Sequence, residues 1–201
     1  MSTISLWSRR PSQPVGPQGG PVLRPAAESI DPPPPHARLP VHARPPAPAA
    51  PHAQARWWWV SCHGGSGAST LARLIPGGWE SGPAWPNPQL GGPPGVLLVC
   101  RSHHAGLSAA SAAVRQWASG HVPRTLALWG LVIVADAPGR LPRSLLALRQ
   151  RISGTVRATF FVPWVEVWRT EEPSRDTAPR QLAQLGELLQ STPWITKGQQ
   201  G

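Results

Sequence analysis

Several kinds of residue that often carry structural or catalytic chemistry are scarce in this chain of 201 residues. It has no tyrosine, two cysteines and a single lysine, Lys197, near its C-terminal end. Two cysteines are too few for a disulfide framework. Acidic residues are also few, nine against 19 lysines and arginines. Between positions 56 and 165 the only acids are Glu80 and Asp136, so a catalytic pair of carboxylates is hard to assemble from the core.

Long apolar runs are absent as well. The longest, around residues 126–135, is far shorter than the roughly 20 residues that a membrane-spanning helix needs. The first residues, MSTISLWSRRPSQP, lack the apolar centre of a secretory signal. These features predict a cytoplasmic protein that does not insert into a membrane.

Proline divides the chain. Residues 1–54 contain 14 of the 27 prolines and no sustained apolar period, so they cannot bury enough surface to offset the entropy of ordering them. We expect a disordered, Pro-rich N-terminal arm over 1–54, an α/β domain over 55–192 and a flexible tail over 193–201. The net charge of +10 is spread along the chain. Outside the arm the densest basic group is Arg140, Arg143, Arg149, Arg151 and Arg157.

A glycine-rich octamer is the most informative motif. It follows a run of strand-forming residues over 57–62 and precedes a short predicted helix over 71–74. The octamer consists of His63, Gly64, Gly65, Ser66, Gly67, Ala68, Ser69 and Thr70. Its glycines allow positive φ angles, which let successive N–H groups turn inward and form an anion-binding nest at a helix N-terminus. An ordinary glycine-rich turn between a strand and a helix is an equally weighted interpretation.

This octamer resembles the deviant loop KGGxGK[ST]T of the ParA and MinD group of P-loop ATPases. His63 stands where that group has its signature lysine, and Ala68 stands where working P-loops have the lysine that reaches the phosphates. The resemblance implies a P-loop NTPase-like domain that binds ATP with Mg²⁺. Losing a charge-assisted contact costs on the order of 1.5–3 kcal/mol of binding, and hydrolysis suffers more than binding. Arg73 or Arg101 could partly substitute.

Apolar periodicity predicts four strand-then-helix units and therefore a small, mainly parallel sheet with right-handed crossovers. The predicted strands are 57–62, 95–100, 128–135 and 159–162. The predicted helices are 71–74, 106–120, one that follows Pro142 and carries Leu145, Leu148 and Ile152, and 179–190. The Gly- and Pro-rich stretch 77–94 is predicted to be a loop.

Ligands of parallel α/β sheets bind outside the carboxyl ends of the strands. Arg101 follows the second predicted strand, and Asp136 follows the third, where it could act as a Walker-B-like Mg²⁺ carboxylate. The predicted nucleotide site therefore comprises the octamer 63–70 together with Arg101 and Asp136. No catalytic residue and no metal ligand of the protein is assigned.

A second registration places residues 95–135 on the later strand, helix and strand of the ParA and MinD fold. The family's middle strands, with their aspartates, are then replaced by the predicted loop 77–94. The resemblance covers roughly residues 55–165. The whole pattern, including VPWVEVWR at 162–169, also resembles a family of uncharacterised proteins from GC-rich bacteria of the actinobacterial type.

These observations favour a pseudo-ATPase that acts as a nucleotide-binding or purely structural interaction module with a protein partner. The resemblance implies a partition, conjugation or secretion assembly. One alternative is a nucleic-acid-binding accessory protein that uses the arginines and exposed tryptophans. Another is a metal site at the same sheet edge, whose candidate ligands are Cys62, His63, Cys100, His103 and His104.

Overall fold

The computed structural model describes residues 30–43 and 55–191, which contain one five-stranded, all-parallel sheet. Its strands are β1 (Trp57–Ser61), β2 (Gly78–Gly82), β3 (Gly95–Arg101), β4 (Ala127–Val134) and β5 (Thr159–Val162). They lie in the order β2-β1-β3-β4-β5. Four helices flank the sheet: α1 (Ala68–Leu74), α2 (His104–Ala118), α3 (Arg143–Ser153) and α4 (Arg180–Ser191). The predicted α/β class and all four strand-then-helix units are confirmed.

The helices cover both faces of the sheet. Leu71 of α1 and Leu185 of α4 belong to one apolar cluster, whereas Leu107 of α2 and Ile152 of α3 belong to the other. The central strands are buried on both faces, which explains why β3 reads as a continuous apolar run. Helices α1 and α2 lie on opposite faces, as crossovers of one hand must when they leave the sheet centre in opposite directions.

The prediction that residues 77–94 form a loop is wrong, because β2 lies within this stretch and pairs in parallel with β1. Its sequence, GWESG, has no apolar run and begins and ends with glycine, so periodicity gave no strand signal. The absence of a side chain at Gly78 is what lets the strand form here. A Cβ at Gly78 would overlap the indole nitrogens of Trp57 and Trp59 on β1.

A second part of the fold lies upstream of the sheet. Residues 30–43, which we call the strap, pack against α2 and against the chain that follows β2. Both amide-group atoms of Gln116 hold Leu39, and Trp85 exchanges backbone hydrogen bonds with Pro40 and His42. The predicted disorder of residues 1–54 therefore does not describe the strap. The remainder of the predicted arm and the tail from residue 192 onward lie outside the described residues.

Candidate functional site

The strand order fixes where a ligand crevice should be. Strand β1 leads through α1 to β2 on one side, whereas β3 leads through α2 to β4 on the other. The carboxyl ends of β1 and β3 thus form a topological switch point, the place where doubly wound sheets bind ligands. The octamer 63–70 follows β1 and Arg101 ends β3, so both lie at this switch point.

The octamer has the backbone of a tight turn into α1. Gly65 has φ +72°, and Gly67 has φ +99° directly before the helix begins at Ala68. The N–H groups of Gly64, Gly65 and Gly67 make no hydrogen bond with any residue that the structure describes. The loop is partly closed by its own side chain, however, because the hydroxyl of buried Ser66 accepts a hydrogen bond from the Ala68 N–H at 3.3 Å.

The imidazole of His63 links the loop to β3. Its Nε2 accepts a hydrogen bond from the backbone N–H of Arg101 at 3.0 Å. Nε2 must therefore be unprotonated, and Nδ1 carries the proton that it donates to the Gly64 carbonyl at 2.7 Å. The imidazole ring thus fastens the loop to the carboxyl end of β3.

Arg101 supplies the positive charge at the crevice. Its Nε donates to the Gly65 carbonyl at 3.1 Å, and its Nη1 donates to the Ala135 carbonyl at 2.8 Å. A guanidinium has five N–H donors, so three remain for other acceptors. No carboxylate of the described residues forms an ion pair with Arg101. The guanidinium is therefore placed beside the loop with its charge unneutralised.

The first turn of α1 brings an unexpected acid to the site. The hydroxyl of Ser69 donates to Oε1 of Glu80 at 2.6 Å. Glu80 lies on β2 and would be a loop residue according to the sequence prediction. Ala68 is buried in the apolar cluster beneath α1. Thr70 lies next to Ser69 in the same turn and is half-buried.

The sequence analysis also singled out Asp136 and Arg73. Asp136 is exposed after β4, and its backbone N–H donates to the Ser102 hydroxyl at 3.0 Å. Its carboxylate has no partner within the described part of the chain. Arg73, the other candidate substitute for the lysine, forms an ion pair with Glu172. Arg101 is therefore the arginine that the fold directs toward the loop.

The candidate metal ligands are not arranged as a coordination sphere. Burial raises the pKa of the Cys62 thiol well above its ordinary value, and neighbouring Cys100 raises it further. Burial also raises the pKa of Cys100 to about 12. Without a metal, both thiols are therefore protonated at neutral pH. No group of three or more potential metal ligands occurs within residues 30–43 and 55–191.

Helix α2 closes the crevice from the other side. Its N-cap is His103, whose Nδ1 accepts a hydrogen bond from the Gly106 N–H at 2.9 Å. A Cβ at Gly106 would collide with the Arg101 carbonyl and would lie 2.9 Å from Nε2 of His63. Gly106 therefore permits the close approach of α2 to the loop. Sequence reasoning gave no role to Gly106, Ser102 or Glu80, because each depends on a contact with a distant segment.

The fold and this edge define a doubly wound, parallel α/β protein with a glycine-rich turn between its first strand and first helix. A family model described as a family of unknown function, DUF6668, matches residues 55–184. The chain therefore belongs to this family. No curated protein and no solved structure matches the chain. Among the described residues, no helix is both long and apolar enough to cross a bilayer.

Proposed function

We propose that the chain is a pseudo-ATPase, a P-loop-like module that holds the phosphates of a nucleotide at the 63–70 loop without hydrolysing them. The observation that carries this proposal is the position of Arg101. Its guanidinium lies on the Gly65 carbonyl, beside loop amides that have no acceptor among the described residues. Backbone amides beside an arginine are a donor set that can recognise phosphate oxygens.

The donor set fits a phosphate better than it fits catalysis. Three free guanidinium donors and the N–H groups of Gly64, Gly65 and Gly67 can neutralise and hold an anion. Phosphoryl transfer also requires charge that follows the transferred group, which P-loops supply through a flexible lysine. The methyl side chain of Ala68 carries no such charge. Arg101 is fixed by two carbonyls and cannot follow the transferred group.

A magnesium ion would find oxygen ligands near the first turn of α1. The Ser69 hydroxyl and the Glu80 carboxylate are already within 2.6 Å of each other, and Mg²⁺ usually takes one or two protein oxygens together with phosphate oxygens and water. We assign the carboxylate role to Glu80 in preference to Asp136. When bound, the ion would screen Glu80 from the phosphates.

Calorimetric titration with ATP, ADP and AMP, with and without Mg²⁺, tests the proposal. We expect micromolar affinity for the di- and triphosphate and no release of inorganic phosphate. Gly67→Val should abolish binding, because φ +99° is strained for a β-branched residue and the added side chain meets Val134. Arg101→Ala should weaken binding about tenfold or more, which corresponds to one lost charged hydrogen bond.

Gly154→Ala is the matched control, because Gly154 follows α3 outside the loop, has an ordinary φ of −73°, and its added carbon would lie 3.5 Å from the Arg151 carbonyl oxygen, an ordinary contact. Absence of nucleotide binding in a folded wild-type chain would leave the loop as an ordinary turn. Rapid Mg²⁺-dependent phosphate release that disappears in Ser69→Ala would instead make the protein an active ATPase.

The biological setting that we propose follows from the resemblance to the ParA and MinD group. A module that keeps the loop and loses turnover suits a regulatory subunit of a partition, conjugation or secretion assembly. The nucleic-acid alternative has less support, because six of the nine described tryptophans are buried and the other three are half-buried. None of the nine is fully exposed, so they do not form an exposed stacking surface.

A further inference from the structure

The sheet ends at β2 on one side and at β5 on the other. The end of β2 is followed by Trp85, whose backbone pairs with the strap at Val41 and its neighbours. At the opposite edge, β5 pairs with β4 alone among the described residues. An edge strand with unpaired backbone groups is a template for another strand.

The direction of the free backbone groups of β5 can be derived from its ladder. The carbonyl of Ala158 accepts from Leu131, and the carbonyl of Val162 accepts from Ala135. Because backbone groups alternate in direction along a strand, Thr159 and Phe161 direct their N–H and C=O groups away from β4. No described residue bonds to these four groups. Pro163, which follows the strand, has no N–H and limits any added strand to this short length.

An apolar cavity of about 60 Å³ lies beside this edge. It is lined by Phe160 and Val162 of β5 and by Gln184, Leu185 and Leu188 of α4. The Leu188 side chain is 42% exposed, which makes it one of the few large apolar residues on the described surface. A strand beside β5 directs alternate side chains to this face, so an aliphatic side chain of that strand can enter the cavity.

The face of the edge that α3 covers carries positive charge. Residues 137–165 contain five arginines and no acidic residue. The guanidinium of Arg149 on α3 lies 5.7 Å from the centre of the Phe161 ring, so it stands over the edge strand itself. Arg151 is exposed on the same helix. This charge favours an acidic occupant and disfavours a second copy of this basic chain.

We propose that the outer edge of β5 docks an extended, acidic and partly aliphatic segment of a protein partner, which pairs with Thr159 and Phe161 as a sixth strand. The backbone groups supply the ladder, the cavity takes an aliphatic side chain, and Arg149 attracts the acidic ones. This surface is distinct from the loop of the proposed nucleotide site, and docking does not require nucleotide binding. The two proposals can therefore fail separately.

Fluorescence anisotropy with short labelled peptides tests the docking. The probe alternates glutamate with valine, a second peptide alternates lysine with valine, and a third alternates glutamate with glycine. We expect saturable binding of the first peptide only, because the second is repelled and the third leaves the cavity empty. Equal binding of the first and third peptides, or none of the first, would overturn the proposal.

Variants of one residue separate strand pairing from charge attraction. Thr159→Pro removes an outward N–H and leaves the bonds to β4 intact, so we expect affinity for the peptide to fall about tenfold. Thr159→Val is the matched control: it keeps the N–H and replaces a buried hydroxyl that has no partner. Arg149→Glu should also weaken binding about tenfold, whereas Arg38→Glu on the strap should not. Circular dichroism and thermal melting confirm that each variant is folded.

Two further outcomes would reassign the surface. A short DNA duplex that competes with the peptide and binds equally well to wild type and Thr159→Pro would make the arginines a nucleic-acid site. Self-association in sedimentation velocity that Thr159→Pro abolishes would make the edge an interface between copies of this chain. In either case the proposed acidic strand is wrong, while nucleotide binding is tested independently at Gly67.

Discussion

The side-chain amide of Gln116 binds the backbone of Leu39 at both of its polar groups. Its Oε1 accepts from the Leu39 N–H at 2.9 Å, and its Nε2 donates to the Leu39 carbonyl at 2.8 Å. Gln116 is only 2% exposed, and its Oε1 also accepts from the indole of Trp85 at 3.1 Å. One buried amide therefore joins the strap, α2 and the chain beyond β2.

Gln116→Leu should release the strap, because the variant leaves the Leu39 backbone and the Trp85 indole without partners in a buried place. We expect a loss of about 2–4 kcal/mol in the free energy of unfolding and faster hydrogen exchange at Leu39. Arg115→Ala is the comparison, since it removes only exposed bonds to the carbonyls of Asp31 and Pro32. Urea unfolding and hydrogen exchange measure both effects. Unchanged exchange at Leu39 in the leucine variant would refute the role of Gln116.

Gly95→Ala should destabilise the sheet, because the added Cβ would overlap the indole ring of Trp129 on β4. Overpacking of this kind costs about 1–3 kcal/mol. Gly64→Ala, with no heavy atom near its added carbon, should change stability by less than about 0.5 kcal/mol. Denaturant unfolding of the two variants against wild type is the measurement. A larger loss at Gly64 than at Gly95 would contradict the packing of β3 against Trp129.

Because both thiols are buried, we predict that the free energy of unfolding falls at alkaline pH. Burial raises the pKa of both Cys62 and Cys100 in the folded state, the latter to about 12. In the unfolded chain a thiol has a pKa of about 8.5, so the unfolded state loses protons first as pH rises. Their contribution to stability is complete below that value and falls by up to about 1.4 kcal/mol per thiol for each further pH unit.

Unfolding followed between pH 7 and pH 10 checks this prediction. The double variant Cys62→Ala, Cys100→Ala should have lower stability at neutral pH and a flatter dependence on alkaline pH. Thiol reagents should modify the native protein only as fast as it unfolds. Rapid modification of either cysteine in the native state at pH 8 would show that the thiols are accessible and the predicted pH dependence wrong.

Glu80→Gln should change how strongly Mg²⁺ affects nucleotide binding. The Glu80 carboxylate lies beside the Ser69 hydroxyl, so it repels a phosphate group and attracts Mg²⁺. If the proposed function holds, the variant should bind metal-free ADP roughly fivefold more tightly, from about 1 kcal/mol of relieved repulsion. Adding Mg²⁺ should raise the affinity of this variant for ADP much less than it raises that of the wild type. Titrations with and without Mg²⁺ measure both; an unaltered Mg²⁺ effect would remove Glu80 from the site.

Much of the fold follows from local patterns. Strands β1, β3 and β4 are buried on both faces and have continuous apolar runs, and α2 shows its stripe in Leu107, Ala110, Val114 and Trp117. Helix α2 begins at His104, slightly earlier than predicted, because the side chain of His103 caps it. Strand β2 could not be predicted, because its formation depends on indole rings from β1 that fill the space above Gly78.

The site was predictable in part for a similar reason. The loop could be recognised from its glycines, because Gly65 and Gly67 adopt the positive φ angles that glycine favours. The strand order then brings Arg101 beside them. The partner of Ser69 could not be predicted, because Glu80 reaches it only when β2 forms. The strap was also missed, because its order comes from Gln116, a residue 77 positions away from Leu39, and not from its own composition.

That separation of 77 positions also sets the order of events during synthesis. A ribosome adds about 5–20 residues each second, so Leu39 waits roughly 4–15 seconds before Gln116 has been made. During this interval the strap has been synthesised but the helix that it binds has not. Its prolines keep it from joining a sheet prematurely, and it can attach to α2 only after Gln116 has been made.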